Sequence, residues 1–229
     1  MTAALLSTTY FGPVQWYQKL NRCDRVLIEA CESYQKQSYR NRCVIATTNG
    51  LQALTVPVEG SSKDCIRDIR ISDHNNWRHL HWNALLSAYG ESPFVEYYQD
   101  DIRPFFEKRW DYLLDFNEAI RQTVCALIDI QPQVNYTQTY LPESTLLPPP
   151  STLHTPPSTL HTPPSTLHTP PSTLITSFRE TITPKHPAED ADFVPRPYYQ
   201  VYQQKYGFQA NLSVLDLLFN MGPESIFYL

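Results

Sequence analysis

The chain has 229 residues, 41% hydrophobic and 13% aromatic, with 18 Lys and Arg against 23 Asp and Glu and a formal net charge of −5. That is enough for one sizeable core, and the acidic balance gives no electrostatic case for nucleic acid or an anionic membrane surface. No run approaches eighteen apolar residues and the first ten lack the basic start of a signal peptide, so a cytoplasmic protein without a membrane span is expected.

Residues 4–9 predict a short buried strand. Gly12-Pro13 then opens a helix with the stripe Val14, Tyr17 and Leu20. Residues 25–30, Arg-Val-Leu-Ile-Glu-Ala, predict a second strand, and the spacing implies a right-handed β-α-β unit with parallel strands. Ligands gather beyond the carboxyl ends of such strands, which puts Tyr10, Gly12 and Gln15 at one edge of a cleft and residues 32–39 at another. Two strand-like runs, 43–47 and 52–58, flank Thr48-Asn49-Gly50, a strong hairpin signal. Residues 66–71 predict a further strand. The five cysteines (Cys23, Cys31, Cys43, Cys65 and Cys125) are scattered without a Cys-x-x-Cys, as expected of free thiols in a reducing compartment.

Residues 72–83, Ser-Asp-His-Asn-Asn-Trp-Arg-His-Leu-His-Trp-Asn, hold three of the seven histidines and two of the four tryptophans. They lie where strand pattern gives way to helix. A helix from Asn76 to Tyr89 is expected, ending at Gly90 in a left-handed position. It stacks Trp77, His81 and Leu85 on one stripe, with Arg78 and Trp82 on the next. Ser92-Pro93 reads as the start of a short helix through Tyr98, and Pro104 as the start of another. The apolar pattern continues to Ile128, with a break expected at 115–117.

Residues 132–177 differ in kind. Pro-Ser-Thr-Leu-His-Thr-Pro repeats three times from 150 to 170. Two prolines per period exclude a heptad helix, so a disordered, extended insertion is expected. Beyond it, Ser213 caps a helix with Asp216 in the capping-box position and Gly222 as terminator. About fifty residues of this kind rarely fold alone. The expectation is one mixed α/β domain formed by 1–131 and 178–229, with a β-α-β unit, a β-hairpin and covering helices.

Several runs carry a resemblance to a known family. They are 7–19 (Ser-Thr-Thr-Tyr-Phe-Gly-Pro-Val-Gln-Trp-Tyr-Gln-Lys), 34–44 (Tyr-Gln-Lys-Gln-Ser-Tyr-Arg-Asn-Arg-Cys-Val) and 69–83, together with 54–58, 89–101 and 208–222. The chain resembles the WbqC-like family, in the shorter form common in Bacteroidetes. The resemblance implies a role in O-antigen or other surface-polysaccharide biosynthesis, where members occur in the gene clusters and an amino-acid (glycine) transferase role has been proposed. Longer members have a Gly-rich segment between their halves, and here the repeats stand roughly in that place.

A transferase acting on a nucleotide-linked sugar needs cations for the diphosphate, a base, and aromatic faces. Arg40, Asn41, Arg42 and Arg78 are the candidates for the phosphate, with Trp77 and Tyr10 as stacking or catalytic groups. His81 is the candidate base and Asp73 its orienting partner. The competing assignments are structural: Asp73 as a helix cap, Trp77 and Trp82 as core, and Arg78 paired with Asp100 or Asp101. His74, His79 and His81 match no zinc spacing, so no metal and no cofactor is expected. The expected partner is a small-molecule substrate, not nucleic acid. Two alternatives stand beside the transferase. One is a non-enzymatic scaffold of the assembly machinery. The other is a nucleotidyltransferase-like enzyme, which lacks the His-x-Gly-His signature.

Overall fold

In a computed structural model of the chain, residues 2–146 and 175–229 are described. The organising element is a four-stranded, all-parallel sheet whose strands are β1 (Ala3–Leu6), β2 (Arg25–Ile28), β7 (Val134–Tyr136) and β8 (Ile175–Ser177), in the order β7-β2-β1-β8. β1 (Ala3–Leu6) is buried at every position, so both its faces are covered. The chain turns through Gly12-Pro13 into α1 (Val14–Arg22) and returns as β2 (Arg25–Ile28), in register Ala3 to Arg25 with β1. The expected β-α-β unit is present, with parallel strands.

The other two strands fall inside the stretch expected to be disordered. β7 (Val134–Tyr136) adds to β2 and β8 (Ile175–Ser177) adds to β1. Three residues suffice for each because the sheet edge already supplies the backbone partners, and bonds such as Val26 N to Gln133 O and Phe178 N to Leu5 O extend the pairing. The boundaries 132 and 177 are therefore corrected inward. The heptapeptide repeats, with the expectation of disorder attached to them, lie outside the described residues.

β3 (Arg42–Thr47) and β4 (Gly50–Thr55) form the expected hairpin. Its two linking residues are Thr48-Asn49, and Gly50, at φ +100, opens the return strand as a bulge glycine does. The strand expected over 66–71 is mostly absent. Ile66–Asp68 is a 3-10 turn, and only the two-residue β6 (Arg70–Ile71) pairs, with β5 (Val58–Glu59). Ile66 and Ile69 are both fully buried, and their i, i+3 spacing suits a three-residue turn, not a strand.

A 3-10 turn over His74–Asn76, with Asn75 and Asn76 at positive φ, leads into α2 (Trp77–Tyr89). Gly90 is right-handed at φ −56, not left-handed as expected. α3 (Val95–Ile102) starts three residues beyond Ser92, because Phe94 N is drawn onto Phe219 O. α4 (Pro104–Glu107) does open on its proline. α5 (Leu113–Leu127) runs unbroken through 115–117. The interruption lies just before it, where Ile71 N bonds Asp111 O and Leu113 N bonds Ile69 O.

After β8 come α6 (Gln203–Tyr206) and α7 (Val214–Met221). Ser213 caps α7 by accepting from Leu215 N, but no capping box forms. Ser213 N is already held by Val44 O, and the Asp216 carboxylate turns to Tyr198 and Gln200 instead. Gly222 ends the helix at φ +55, where a Cβ would stand 2.6 Å from the Phe94 ring. Val214, Leu215, Leu217, Leu218 and Phe219 are all buried in the same core as β1 and α1. Among the described residues no helix is long and apolar enough to cross a membrane.

Candidate functional site

The residues singled out in sequence fall in separate places. Tyr10 and His81 meet: the Tyr10 hydroxyl is 2.9 Å from His81 Nδ1. Trp77, Tyr10 and Phe106 surround the imidazole with ring centroids at 5.1, 5.8 and 6.5 Å. His81 is 6% exposed, and burial pulls its pKa down to about 4 against a weak opposing contact with the Thr55 backbone. It is therefore neutral at pH 7, and its Nδ1 is hydrogen-bonded to a phenol that burial pushes well above its usual range. The reason is the stripe itself, since Trp77, His81 and Leu85 all face the core.

Asp73 does not reach His81. It binds Arg78 at 2.5 Å and Arg109 at 3.5 Å, and these cations hold its carboxyl below the usual range. Arg78 lies over the Trp77 ring at 4.7 Å, and Trp77 Nε1 donates to Ser72 O. On the other segment, Asn41 Nδ2 donates to Val56 O and Arg42 Nε to the Thr55 hydroxyl. Arg40, 2% exposed, donates to Glu32 and, at 2.8 Å, to Ser7 Oγ. The basic loop and the tryptophan-arginine-histidine helix start approach at Thr55, whose hydroxyl accepts from Arg42 and whose backbone meets His81. Each cation is met by an acceptor from the chain, and the imidazole is enclosed by rings.

An open space lies instead at the carboxyl end of the parallel sheet. The strand order reads third, second, first, fourth, so successive connections leave in opposite directions at β1 and β8, and ligands favour such a crevice. Four loops are knitted together there by buried charge. Glu29, fully buried just past β2, accepts from Cys31 N at 2.9 Å, Leu141 N at 3.0 Å, the Thr137 hydroxyl and Arg179 Nη1 at 3.3 Å. Arg179, 3% exposed in the loop after β8, also donates to Glu143 and to Leu141 O. Glu32 takes both Arg40 and the Ser7 hydroxyl, tying the loop after β1 to the loop after β2. Buried pairs of this kind gain little over apolar packing, but removing one partner strands the other.

This network walls a cavity of about 620 Å3 lined by Cys31, Glu32, Tyr34, Lys36, Tyr140 and Arg179. A second cavity, of about 320 Å3, is lined by Ala30, Arg67, Asp115, Glu118, Tyr136 and Thr137. Of the cleft residues expected from the strand-end rule, Glu32, Tyr34 and Lys36 line the larger cavity, whereas Tyr10 does not. Glu29, Cys31, Tyr140 and Arg179 were missed. The local signal for Glu29 is a carboxylate directly following the apolar run Val-Leu-Ile, at a strand's carboxyl end. Among the described residues no group of three or more His, Cys, Asp or Glu is placed to hold a metal ion.

The start of α1, where β-α-β folds often seat phosphate, is filled by the chain itself. Val14 N bonds Leu212 O at 3.0 Å and Gln15 N bonds Asn211 Oδ1 at 2.9 Å.

A family model described as the WbqC-like protein family matches residues 8–147. The uncharacterized protein Rv1507c of Mycobacterium tuberculosis (strain ATCC 25618 / H37Rv) is 25% identical over 231 residues, covering 99% of this chain and 96% of that protein. No solved structure matches the chain.

Proposed function

We propose that this chain, which belongs to the WbqC-like protein family, is a transferase that moves an acyl group, an aminoacyl group first among them, onto a sugar linked to a nucleotide or lipid carrier. The setting is the cytoplasmic stage of surface-polysaccharide biosynthesis, O-antigen included. The observation that carries the reading is the cavity of about 620 Å3 over the carboxyl ends of a parallel sheet whose order reverses there. Its wall includes the cations Lys36 and Arg179, the carboxylates Glu32 and Glu180, and the tyrosines Tyr34 and Tyr140. A wall of both signs suits a substrate carrying an amine as well as an anion.

The α1 start is taken by Asn211 and Leu212, and in this reading the diphosphate lies toward Lys36, an exposed cation of the cavity. Arg179 is held by Glu29 and Glu143 and acts as a fixed wall. Rigid placement of this kind is how a protein converts binding into orientation of reacting groups. His81 and Tyr10 serve in this reading as a buried hydrogen-bonded pair that sets the loop after β1 against α2.

Calorimetric titration with UDP-N-acetylglucosamine and related UDP-linked amino sugars tests the reading. Binding weakened about tenfold or more by Lys36→Ala is expected, since a phosphate contact is worth a charge-assisted hydrogen bond. No heat with any such sugar, or equal affinity in Lys36→Ala, would overturn it. Transfer of labelled glycine to the same sugars then reads the reaction directly.

A further inference from the structure

We propose, resting on the transferase reading above, that Cys31 carries the transferred acyl group as a thioester on the partition between the two cavities. The cavities meet at the end of β2. Cys31 lines the space of about 620 Å3, and its neighbour Ala30 lines that of about 320 Å3. The loop after β7 backs both, with Tyr140 in the first wall and Thr137 in the second. Two ligand-sized spaces lined by neighbouring residues, with a thiol on one of them, suit two substrates that exchange a group through the sulfur.

The sulfur is held for this. Its Sγ donates to Thr137 O at 3.7 Å, and the Arg67 guanidinium donates to it from the side of the second cavity. Arg67 is itself fixed, Nε donating to Ala30 O at 3.1 Å. A guanidinium set against sulfur is placed to stabilise negative charge there, which builds up in both half-reactions. Three of the other thiols lie outside both cavities. Burial pushes Cys43 up to about 12 and Cys125 up to about 11, and Cys65, which Arg67 also reaches, donates to Ala30 O at 3.2 Å. Neither cavity is lined by any of the three.

In the first half-reaction the Cys31 sulfur attacks the acyl carbon of an activated donor, a thioester or acyl phosphate. The thiol proton passes to solvent, the carbon–sulfur bond forms, the bond to the leaving group breaks, and the leaving group departs with the electron pair. In the second, an amine or hydroxyl of the acceptor attacks the thioester carbon, carbon–sulfur cleavage returns the thiolate, and the acceptor's proton passes to solvent. No oxidant or reductant is needed. The larger cavity, with both signs of charge, fits the charged donor. The smaller one, with Asp115, Glu118, Tyr136 and Gln138 in its wall, fits a polyhydroxylated acceptor.

The test uses the full chain and the N-acetylcysteamine thioester of glycine, quenched in acid and mapped by mass spectrometry. One acyl group on Cys31 is expected, released by hydroxylamine, absent in Cys31→Ala and unchanged in Cys65→Ala. Iodoacetamide supplies a readout that needs no donor. Alkylation of Cys31 at neutral pH should slow about fivefold or more in Arg67→Met, as the cation that favours attack is lost. An adduct on Cys65, no adduct at all, or alkylation of Cys31 at an unchanged rate in Arg67→Met would overturn the relay. The two readings fail separately. Sugar binding that needs Lys36, with glycine transfer undiminished in Cys31→Ala, leaves the transferase and removes the thioester. A Cys31 thioester in a protein that binds no UDP-linked sugar keeps the relay and removes that acceptor class.

Discussion

Two sets of buried polar side chains flank the loop that leaves β1, and they differ in what they face. On one side, Tyr10 and His81 pair among Trp77, Phe106 and Phe116, and neither lines the cavities at the sheet end. On the other, Glu29, Glu32, Arg40 and Arg179 are ionisable groups buried almost completely as paired acids and guanidiniums, and Glu32 and Arg179 line the larger cavity. A neutral phenol–imidazole pair costs little to bury once its hydrogen bond is made, whereas ions cost several kcal/mol each before they are paired. A further buried pair, Lys19 with Asp190, lies outside that wall. Of the histidines and tryptophans in 72–83, His81 and Trp77 are packed into the core, whereas His74 and His79 are exposed.

The largest expected effect breaks the charged side of this comparison. Arg179→Met leaves Glu29 buried with only neutral donors, and should cost about 3–5 kcal/mol in urea unfolding. The double variant Glu29→Gln with Arg179→Met should recover more than half of that loss, because both charges go together. A double variant as unstable as the single one would show that packing, not charge, holds the four loops.

The neutral side is sharpened by pH. His81 has its pKa lowered by burial to about 4, below its ordinary value. Between that value and about 6.5 the unfolded chain holds a proton that the fold refuses, so stability rises with pH across this window. Asp216 on α7 has the opposite slope. Burial raises it to about 6 against hydrogen bonds from Tyr198, Gln200 and Tyr89, so stability falls as pH rises from about 4 to about 6. Each contributes up to about 3 kcal/mol, and in the native chain they largely cancel over the shared window. Asp216→Asn should therefore expose a steep acid loss that ends near pH 6.5, and His81→Asn a loss running the other way. Urea midpoints from pH 4 to 7 in the two variants read both slopes, and parallel curves would refute the assignment.

Much of the fold was legible because its signals are local. The β-α-β unit shows in two apolar runs around Gly12-Pro13, the hairpin in Asn49-Gly50, and α7 in Ser213 and Gly222. β7 and β8 were not, since three residues beside proline- and threonine-rich sequence become strands only against an existing sheet edge. Residues 66–71 misled because two buried isoleucines at a spacing of three fit strand composition but not strand period. The site divides likewise. The strand-end rule reached Glu32, Tyr34 and Lys36. Nothing local ties Glu29 to Arg179, which are 150 positions apart, or turns the conspicuous His81 inward onto Tyr10, which lies 71 positions before it.

The smallest expected effect decides whether the helix start retains any part in binding. Arg78 places one nitrogen on Asp73, while its Nε and Nη2 are buried without an acceptor. Arg78→Met removes an ion pair at the surface together with two unsatisfied donors, terms that oppose each other, and the methionine still covers Trp77. The melting temperature should move by no more than about 2–4 °C. Affinity for UDP-linked amino sugars should not move at all, in contrast to Lys36→Ala, which should weaken binding and leave stability untouched. The reversed pattern, with affinity lost in Arg78→Met and kept in Lys36→Ala, would return the site from the sheet end to the start of α2, and would do so without any change in the fold.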